Sequence, residues 1–295
     1  MAFDYQGLRR RVWRTLVFHA VAPATPVVAL ESDGLRFLVE TADLGPGRIM
    51  FTRGSLEADA LETAVAAASL SGGPSPVDGY FVDVGANIGA ASVLALGRHG
   101  FKAAVAVEPN ASNAALLSAN LALNGLEDRC TTVVGAAGNA DGSVDLELSP
   151  DNFGDHRIRA FGAGPGEFRE EARAVRRVPQ RTLDSILEQQ GIPAGEVALL
   201  WVDVQGYEAQ VLEGANAILA QGVPVVIEFW PYGLRRSGGL DGLCALLERS
   251  FAAFIDLHRA RDARGRLVQR PIQLLRTFEP RGEGGADATD LLLVH

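Results

Sequence analysis

The chain has 295 residues, of which 47% are hydrophobic and 21% charged, and its formal net charge at pH 7 is -9. This composition is typical of a folded globular protein, and it excludes a disordered chain, a collagen-like repeat and a coiled coil. The acidic balance argues against a nucleic-acid partner, because no broad cationic face would meet the phosphates.

Several enzyme classes are excluded because the residues that their motifs require are missing. The only lysine, Lys102, follows Phe101, so the chain has no phosphate-binding GK[ST] loop. No histidine lies in an HExxH motif, and no serine lies in GxSxG. Cys130 and Cys244 are far apart and form neither a CxxC pair nor a zinc ligand set, which favours a reducing compartment.

The N-terminal segment resembles a secretory signal only superficially. An apolar run over residues 16–30 is interrupted by His19, Pro23 and Pro26, and it is too short to span a membrane. Four arginines precede it: Arg9, Arg10, Arg11 and Arg14. We therefore expect cytoplasmic residence without a transmembrane segment, with peripheral membrane contact through the arginines as the alternative.

The first 75 residues are predicted to form a lead-in to the main domain. Residues 35–40 have the pattern of a short strand, and residues 55–69 have helical composition, with Ser55 as a candidate N-cap. The Gly- and Pro-rich stretch 71–76 marks a boundary. The domain proper is therefore expected over residues 76–295.

From residue 80 onwards, short apolar runs alternate with helical segments. Helices are predicted over residues 90–98 and 112–124. The predicted strands cover residues 80–84, 103–107, 131–134, 198–202, 223–227, 253–257 and 289–294. Apolar strands separated by helices indicate a parallel sheet that is covered on both faces. We predict a doubly wound α/β fold with a mostly parallel seven-stranded sheet, in which the last strand could be antiparallel.

A long polar insertion, about residues 141–177, separates the third and fourth main strands. It contains the polar stretch 151–157 and a glycine-rich stretch, 162–166, that we expect to be flexible. Insertions of this size on an α/β scaffold often serve as lids or binding loops.

The turn after the first main strand and the end of the second predict a nucleoside site. Gly85 and Gly89 would let the turn approach a ligand closely, and the Asp83 carboxylate is expected to face the crevice. Glu108 could accept hydrogen bonds from both hydroxyls of a ribose. Asn87 stands where a GxGxxG turn would need its middle glycine, which disfavours a diphosphate. The phosphate-free, cationic S-adenosylmethionine fits this arrangement better than a dinucleotide does.

Several segments together are similar to motifs of the FkbM-type S-adenosylmethionine-dependent methyltransferases. The matching segments are residues 82–89, 108–110, 120–124, 181–184 and 202–208. The resemblance covers roughly residues 78–230 and implies a class I methyltransferase fold that acts mostly on oxygen of sugars or natural products. Gln205 stands where the family more commonly has Glu. Pro109, Ala136 and Asp203 join the predicted cofactor contacts.

Methyl transfer to a hydroxyl calls for a general base, and three residues are candidates. Asp203 ends the fourth strand, Glu228 ends the fifth, and His156 lies in the insertion. Asp203 could instead cap a turn, and His156 could simply be solvated. The predicted substrate-binding residues are Asn152, Asp155, His156, Trp230 and Tyr232. For the two aromatic residues, packing under a loop is the equal alternative.

These observations predict an O-methyltransferase for a hydroxylated small molecule or glycan. A nicotinamide-dependent reductase is an alternative, disfavoured by the missing GxGxxG motif and the lack of a Tyr-x-x-x-Lys pair. A non-catalytic, cofactor-binding relative in a biosynthetic complex is another. The acceptor, any dependence on a divalent metal and the oligomeric state stay open at this point.

Overall fold

A computed structural model describes residues 5–69, 75–160, 166–280 and 287–295, and the side chains of the first helix from residue 11. Most of the predicted boundary at 71–76 and of the flexible stretch at 162–166 therefore lies outside the described residues. The strands are β1 (Val27–Ser32), β2 (Leu35–Glu40), β3 (Tyr80–Val84), β4 (Ala103–Glu108), β5 (Cys130–Val134), β6 (Ala136–Ala137), β7 (Gly142–Leu148), β8 (Arg157–Ile158), β9 (Ala174–Arg181), β10 (Val197–Val202), β11 (Val225–Phe229), β12 (Ala253–Asp256), β13 (Arg270–Pro271) and β14 (Thr289–Val294). The α-helices are α1 (Tyr5–Val21), α2 (Pro46–Arg53), α3 (Ala58–Ala68), α4 (Ala90–Gly97), α5 (Ala111–Leu123), α6 (Leu183–Gln189), α7 (Glu208–Glu213), α8 (Asn216–Leu219), α9 (Pro231–Arg236) and α10 (Leu240–Ser250).

The main sheet has the strand order β13-β12-β14-β11-β10-β3-β4-β5. Strands β11, β10, β3, β4 and β5 are parallel, and β14 runs antiparallel between β11 and β12. Strand β13 adds only a two-residue edge. The predicted doubly wound α/β fold is confirmed. The strand order reverses between β3 and β10, which is where such sheets bind ligands.

The sheet is stable because its central strands bury both faces. Every residue of β10 is buried, and two apolar clusters cover the two sides of the sheet. Strands that are covered on both faces have continuous apolar sequences rather than alternating ones, and this is why they could be recognised from the sequence.

The insertion is more regular than the sequence suggested. Strands β7 and β9 pair antiparallel over seven residue pairs, and β6 and β8 complete a second, four-stranded sheet. Strand β9 continues to Arg181, beyond the expected end of the insertion at residue 177. Its sequence is rich in arginine and largely exposed, so it lacks the apolar signature of a strand.

The N-terminal segment contains a β1–β2 hairpin that packs on α5. The Asn120 side chain accepts a hydrogen bond from the backbone N–H of Leu38 at 2.6 Å and donates to the Leu38 carbonyl at 3.2 Å. The predicted strand over 35–40 is therefore present. The predicted N-cap at Ser55 is wrong, because α3 begins after Glu57, whose backbone has φ +64° and whose side chain makes no capping bond. In the described part of the chain, no helix is long and apolar enough to cross a membrane.

Candidate functional site

A cavity lies at the carboxyl ends of β3, β4, β5 and β10. Its volume is about 500 Å³, including the solvent-filled space at its opening. The turns after these strands form one wall, and residues of the insertion form the opposite one. The cavity brings together seven of the predicted site residues: Gly85, Asn87, Glu108, Pro109, Ala136, His156 and Asp203. Its position at the reversal of strand order is where this fold places nucleoside ligands.

The turn after β3 is shaped by residues with positive φ. The φ angle is +85° at Gly85, +50° at Asn87 and +84° at Gly89, which begins α4. A Cβ atom on Gly85 would lie 1.7 Å from the carbonyl oxygen of Asp203. Glycine is therefore required at position 85, because the turns after β3 and β10 touch there.

The backbone amides of this turn are already engaged within the protein. The N–H groups of Gly85 and Ala86 donate to the carbonyl of Val107 at 2.9 and 3.1 Å. The N–H of Asn87 donates to a carboxylate oxygen of Glu108 at 2.8 Å. A dinucleotide site needs such amides for its diphosphate, so this turn is not arranged to bind one.

Glu108 is held in place by main-chain groups. Besides the bond from Asn87, its other oxygen accepts from the N–H of Asn110 at 2.7 Å. Only 5% of the residue is exposed, and burial raises the pKa of Glu108 to about 7 although these N–H groups oppose the shift. Each carboxylate oxygen has a second lone pair, which leaves capacity for ligand hydroxyls.

Asn87 carries an unsatisfied acceptor on the cavity wall. Its side-chain oxygen is buried and has no hydrogen-bond partner among the described residues. A buried acceptor without a partner costs about 1–3 kcal/mol, so a ligand donor that reached this oxygen would be favoured. The carboxylates of Glu108 and Asp203 and the amide oxygen of Asn87 belong to residues of the cavity wall, and the backbone amides of the turn are already hydrogen-bonded within the protein. This arrangement fits a cationic nucleoside without phosphate. The acceptor groups of the cavity thus fit S-adenosylmethionine.

Gln205 links two carboxylates at the ends of β10 and β11. Its side-chain N–H₂ donates to Asp203 at 2.8 Å and to Glu228 at 2.9 Å, and its own φ angle is +56°. Burial raises the pKa of Asp203 to about 6. Burial and then the Asp203 carboxylate raise the pKa of Glu228 well above its ordinary value. An ionised Asp203 therefore disfavours a second negative charge on Glu228. Asp203 and Gln205 line the cavity, and Glu228 lies behind them.

More carboxylates surround this pair. Asp290 is opposite Glu228 in the β11–β14 ladder, and it accepts a bond from the His258 ring at 2.9 Å. Burial raises the pKa of Glu57 well above its ordinary value, and the nearby Asp203 carboxylate adds to the shift. The surroundings of Asp203 are therefore rich in carboxyl groups, and the pKa values of two of them, Glu57 and Glu228, are raised.

Asp83 lies beneath the turn rather than on the cavity wall. It is 2% exposed, and its carboxylate accepts a hydrogen bond from the Ser92 hydroxyl at 2.6 Å. Burial raises its pKa to about 7. The bond to Ser92 ties the end of β3 to helix α4. Direct contact between Asp83 and the cofactor therefore remains a sequence-based prediction.

His156 faces the cavity from the insertion. Its Nδ1 atom accepts the backbone N–H of Ser149 at 3.1 Å, and burial lowers its pKa to about 4. The ring is thus neutral at pH 7, with the proton on Nε2. In this tautomer the free nitrogen is a hydrogen-bond donor, which suits ligand binding better than proton abstraction.

The N-terminal segment holds the insertion over the cavity through Asp43. One oxygen of this buried carboxylate accepts from the N–H groups of Gly45 and Phe153 at 2.9 and 3.0 Å, and the other accepts from Gly47 at 2.6 Å. The Asn113 side chain of α5 donates to the Phe153 carbonyl at 3.1 Å. Phe153 lines the cavity, so these bonds fix part of its wall.

A buried ionic cluster latches the other end of the insertion to α9. Arg157 donates to Asp155 at 2.5 Å and to Glu170 at 2.8 Å, and its guanidinium lies 4.4 Å from the centre of the Trp230 ring. The Tyr232 hydroxyl donates to Glu170 at 2.8 Å. We refer to these five residues as the latch.

Seven of the predicted site residues are not among those that line the cavity. They are Asp83, Gly89, Asn152, Asp155, Glu228, Trp230 and Tyr232. The Asn152 side chain accepts from the N–H of Gly154 at 3.2 Å. Among the described residues, no group of three or more His, Cys, Asp or Glu side chains could hold a metal ion.

Several wall residues were not recognised in the sequence. Asn113, Phe153 and Tyr207 line the cavity, and Gln205 joins two carboxylates. Only Gln205 carried a signal, because it departs from a motif that otherwise matches. The others come from a helix face, the insertion and the turn before α7, and their positions depend on tertiary contacts.

The fold and the cavity together define a nucleoside-binding α/β protein with a carboxylate at the end of its second parallel strand. The profile of the Methyltransferase FkbM domain matches residues 83–252, more than half of the chain. The chain belongs to this family, and the reaction class is S-adenosylmethionine-dependent methyl transfer. No curated protein sequence matches the chain.

Solved structures of similar fold include several transferases. A putative transferase of Pyrococcus horikoshii is 12% identical, with 97% of this chain and 83% of that chain covered and a TM-score of 0.44. A SAM-dependent methyltransferase of Agrobacterium tumefaciens is 12% identical, with 69% and 52% covered and a TM-score of 0.39. The tRNA methyltransferase TrmK of B. subtilis is 11% identical, with 80% and 64% covered and a TM-score of 0.41.

Proposed function

We propose that the chain transfers a methyl group from S-adenosylmethionine to a hydroxyl of a sugar, a glycan or a natural product. The observation that carries this proposal is the position of Asp203, whose carboxylate lines the same cavity as Glu108. Glu108 would hold the ribose hydroxyls, and Asn87 would accept a further ligand donor. The two unpaired cysteines, Cys130 and Cys244, are compatible with the cytoplasmic residence that belongs to this proposal.

Asp203 is the proposed general base. When bound, S-adenosylmethionine supplies an electrophilic methyl group on a sulfonium centre, so the protein has to align the acceptor and remove its proton. One oxygen of Asp203 accepts from Gln205, and the other would take the proton of the acceptor hydroxyl. An ionised Asp203 disfavours a second charge on Glu228, so the pair would carry one negative charge. Asp203, which lines the cavity, would be the member that meets the acceptor.

The mechanism predicts a specific pH dependence. Because the pKa of Asp203 is about 6, the fraction of ionised base rises with pH through that value, and the rate of transfer rises with it. Asp203→Asn should lower kcat by about 10²- to 10⁴-fold, the usual contribution of a general base, and should abolish this limb of the profile. His156→Gln retains an N–H donor and should leave the shape of the profile unchanged.

The test uses S-adenosylmethionine with a tritiated methyl group and a panel of sugars, polysaccharides, primary amines and tRNA. We expect label in an alkali-stable ether of a hydroxylated acceptor. Asp145→Asn, at a half-exposed carboxylate that pairs with Arg177 and does not line the cavity, serves as a matched control and should retain full activity. Methylation of amines or tRNA alone would contradict O-methyl transfer. Full activity of Asp203→Asn, combined with loss of the pH limb in His156→Gln, would transfer the role of base to His156.

A further inference from the structure

The N-terminal helix α1 exposes an apolar surface that the catalytic proposal does not explain. Val12, Trp13 and Leu16 are 53%, 66% and 60% exposed. They lie within about 100° of one another around the helix axis, given the α-helical repeat. Eight large hydrophobic side chains are exposed in the described part of the chain, and three of them lie within residues 12–16. Isolated exposed hydrophobics are ordinary, but a contiguous group indicates an interaction site.

The opposite side of α1 is fixed to the body of the protein. Phe18 is fully buried, and its ring lies 5.3 Å from the Phe51 ring of α2. The Arg14 guanidinium lies 5.6 Å from the centre of the same Phe51 ring. The apolar surface is therefore presented by a helix that is packed in place.

Charge indicates what this surface would meet. Helices α1 and α2 contain six arginines and no Asp or Glu: Arg9, Arg10, Arg11, Arg14, Arg48 and Arg53. The whole chain has a formal charge of -9, so the remainder without these six arginines carries -15. A basic helix pair in a strongly acidic protein is complementary to an anionic surface. Apolar side chains that include a tryptophan, flanked by arginines, are typical of helices that lie in the headgroup region of a membrane.

We propose that α1, with the basic end of α2, docks the protein on an anionic lipid surface through Val12, Trp13 and Leu16. The α1–α2 pair is connected to the cavity wall through Asp43, which accepts hydrogen bonds from the backbone N–H groups of both Gly47 in α2 and Phe153 in the wall. Docking would hold the cavity near the membrane, where acceptors carried on lipids are found. This proposal does not depend on which group is methylated.

The test measures sedimentation of the full chain with vesicles of phosphatidylcholine alone and of phosphatidylcholine containing 3 parts in 10 phosphatidylglycerol. We expect binding to the anionic vesicles at least about tenfold stronger than to the neutral ones, and loss of that preference at about 0.5 M salt. Trp201 and Trp230 are buried, at 2% and 8% exposure. The fluorescence of solvent-exposed tryptophan therefore comes from Trp13. A blue shift and protection from acrylamide on addition of anionic vesicles would report burial of Trp13 itself.

Matched variants separate this surface from general charge and hydrophobicity. Leu16→Ser should weaken vesicle binding about tenfold or more, whereas Leu274→Ser, at a similarly exposed leucine elsewhere, should leave it unchanged. Arg11→Gln should weaken it about fivefold, and Arg264→Gln, which alters the net charge equally, should have no effect. Circular dichroism and the melting temperature verify that each variant is folded.

Three results would overturn the proposal. One is equal binding to neutral and anionic vesicles, or no binding to either. Another is an equal loss of binding in the control variants. The third is a dimer in light scattering that dissociates in Leu16→Ser, which would assign the surface to a second copy of the chain.

Discussion

The two sides of the cavity hold their carboxylates in different ways. On the β4 side, both oxygens of Glu108 are bound by the main-chain N–H groups of Asn87 and Asn110. On the β10 side, Asp203 and Glu228 share the side-chain amide of Gln205. Main-chain donors are present whatever the neighbouring side chains are, so Glu108 is positioned by the backbone of the turns after β3 and β4. The position of Asp203 depends on the side chain of Gln205, so a substitution at position 205 would change the pKa of Asp203.

The largest effect is expected from Gly85→Ala, which disrupts the contact between the two sides. The new Cβ would overlap the Asp203 carbonyl, and alanine would be strained at φ +85°. The two effects together should destabilise the fold by about 3 kcal/mol or more, measured by urea denaturation. Gly125→Ala is the matched control, since φ is +66° there and the space is open. Equal losses in both variants would show that the contact between the turns is unimportant.

A smaller effect, confined to the β4 side, is expected from Glu108→Gln. The amide of glutamine can accept from only one of the two N–H groups, and its own N–H₂ would oppose the other. Binding of S-adenosylmethionine should weaken about 10- to 100-fold, in line with the loss of charged hydrogen bonds, as measured by calorimetry. The exposed Glu127→Gln should leave affinity unchanged. Undiminished affinity in Glu108→Gln would remove the proposed ribose contact.

The smallest effect is expected at the latch, which lies apart from both carboxylate sites. Tyr232→Phe removes the hydroxyl that donates to Glu170 and accepts from the Glu167 N–H at 2.8 Å. The free energy of unfolding should fall by about 1 kcal/mol, while the affinity for S-adenosylmethionine should not change. Tyr80→Phe is a suitable control, because Tyr80 contacts Lys102 through its ring face. A raised KM for the acceptor with unchanged stability would instead support the predicted role of Tyr232 in substrate binding.

The cofactor side could be predicted in some detail because its features are local. Gly85 and Glu108 each follow an apolar strand that is recognisable by composition, and parallel strands bring their carboxyl ends to one edge. The exception is Asp83, which was expected at the crevice. Its carboxylate accepts a hydrogen bond from Ser92, nine residues further along the chain, and it does not line the cavity, so its contact with the cofactor stays a prediction.

The acceptor side was less predictable because its contacts join the insertion to α9, and the sequence does not show which polar residues pair there. Asp155 and Trp230 both contact Arg157 in the latch, and their predicted contact with substrate stays a prediction. The pairing of β7 with β9, which sets this arrangement, has no apolar signature. A polar stretch of sequence indicates exposure or ion pairing equally well, and only the structure distinguishes the two.

The sequence by itself determined the doubly wound sheet, the family and the acidic residue that ends the second parallel strand, because apolar periodicity and turn residues act over a few positions. The tertiary structure alone decided which polar side chains face the cavity and which are neutralised in buried pairs. It also left three apolar side chains of α1 without cover. Such outcomes depend on contacts between separate elements, which join Gln205 to Glu228 and, 110 residues apart, Asp43 to Phe153, and no local pattern encodes them.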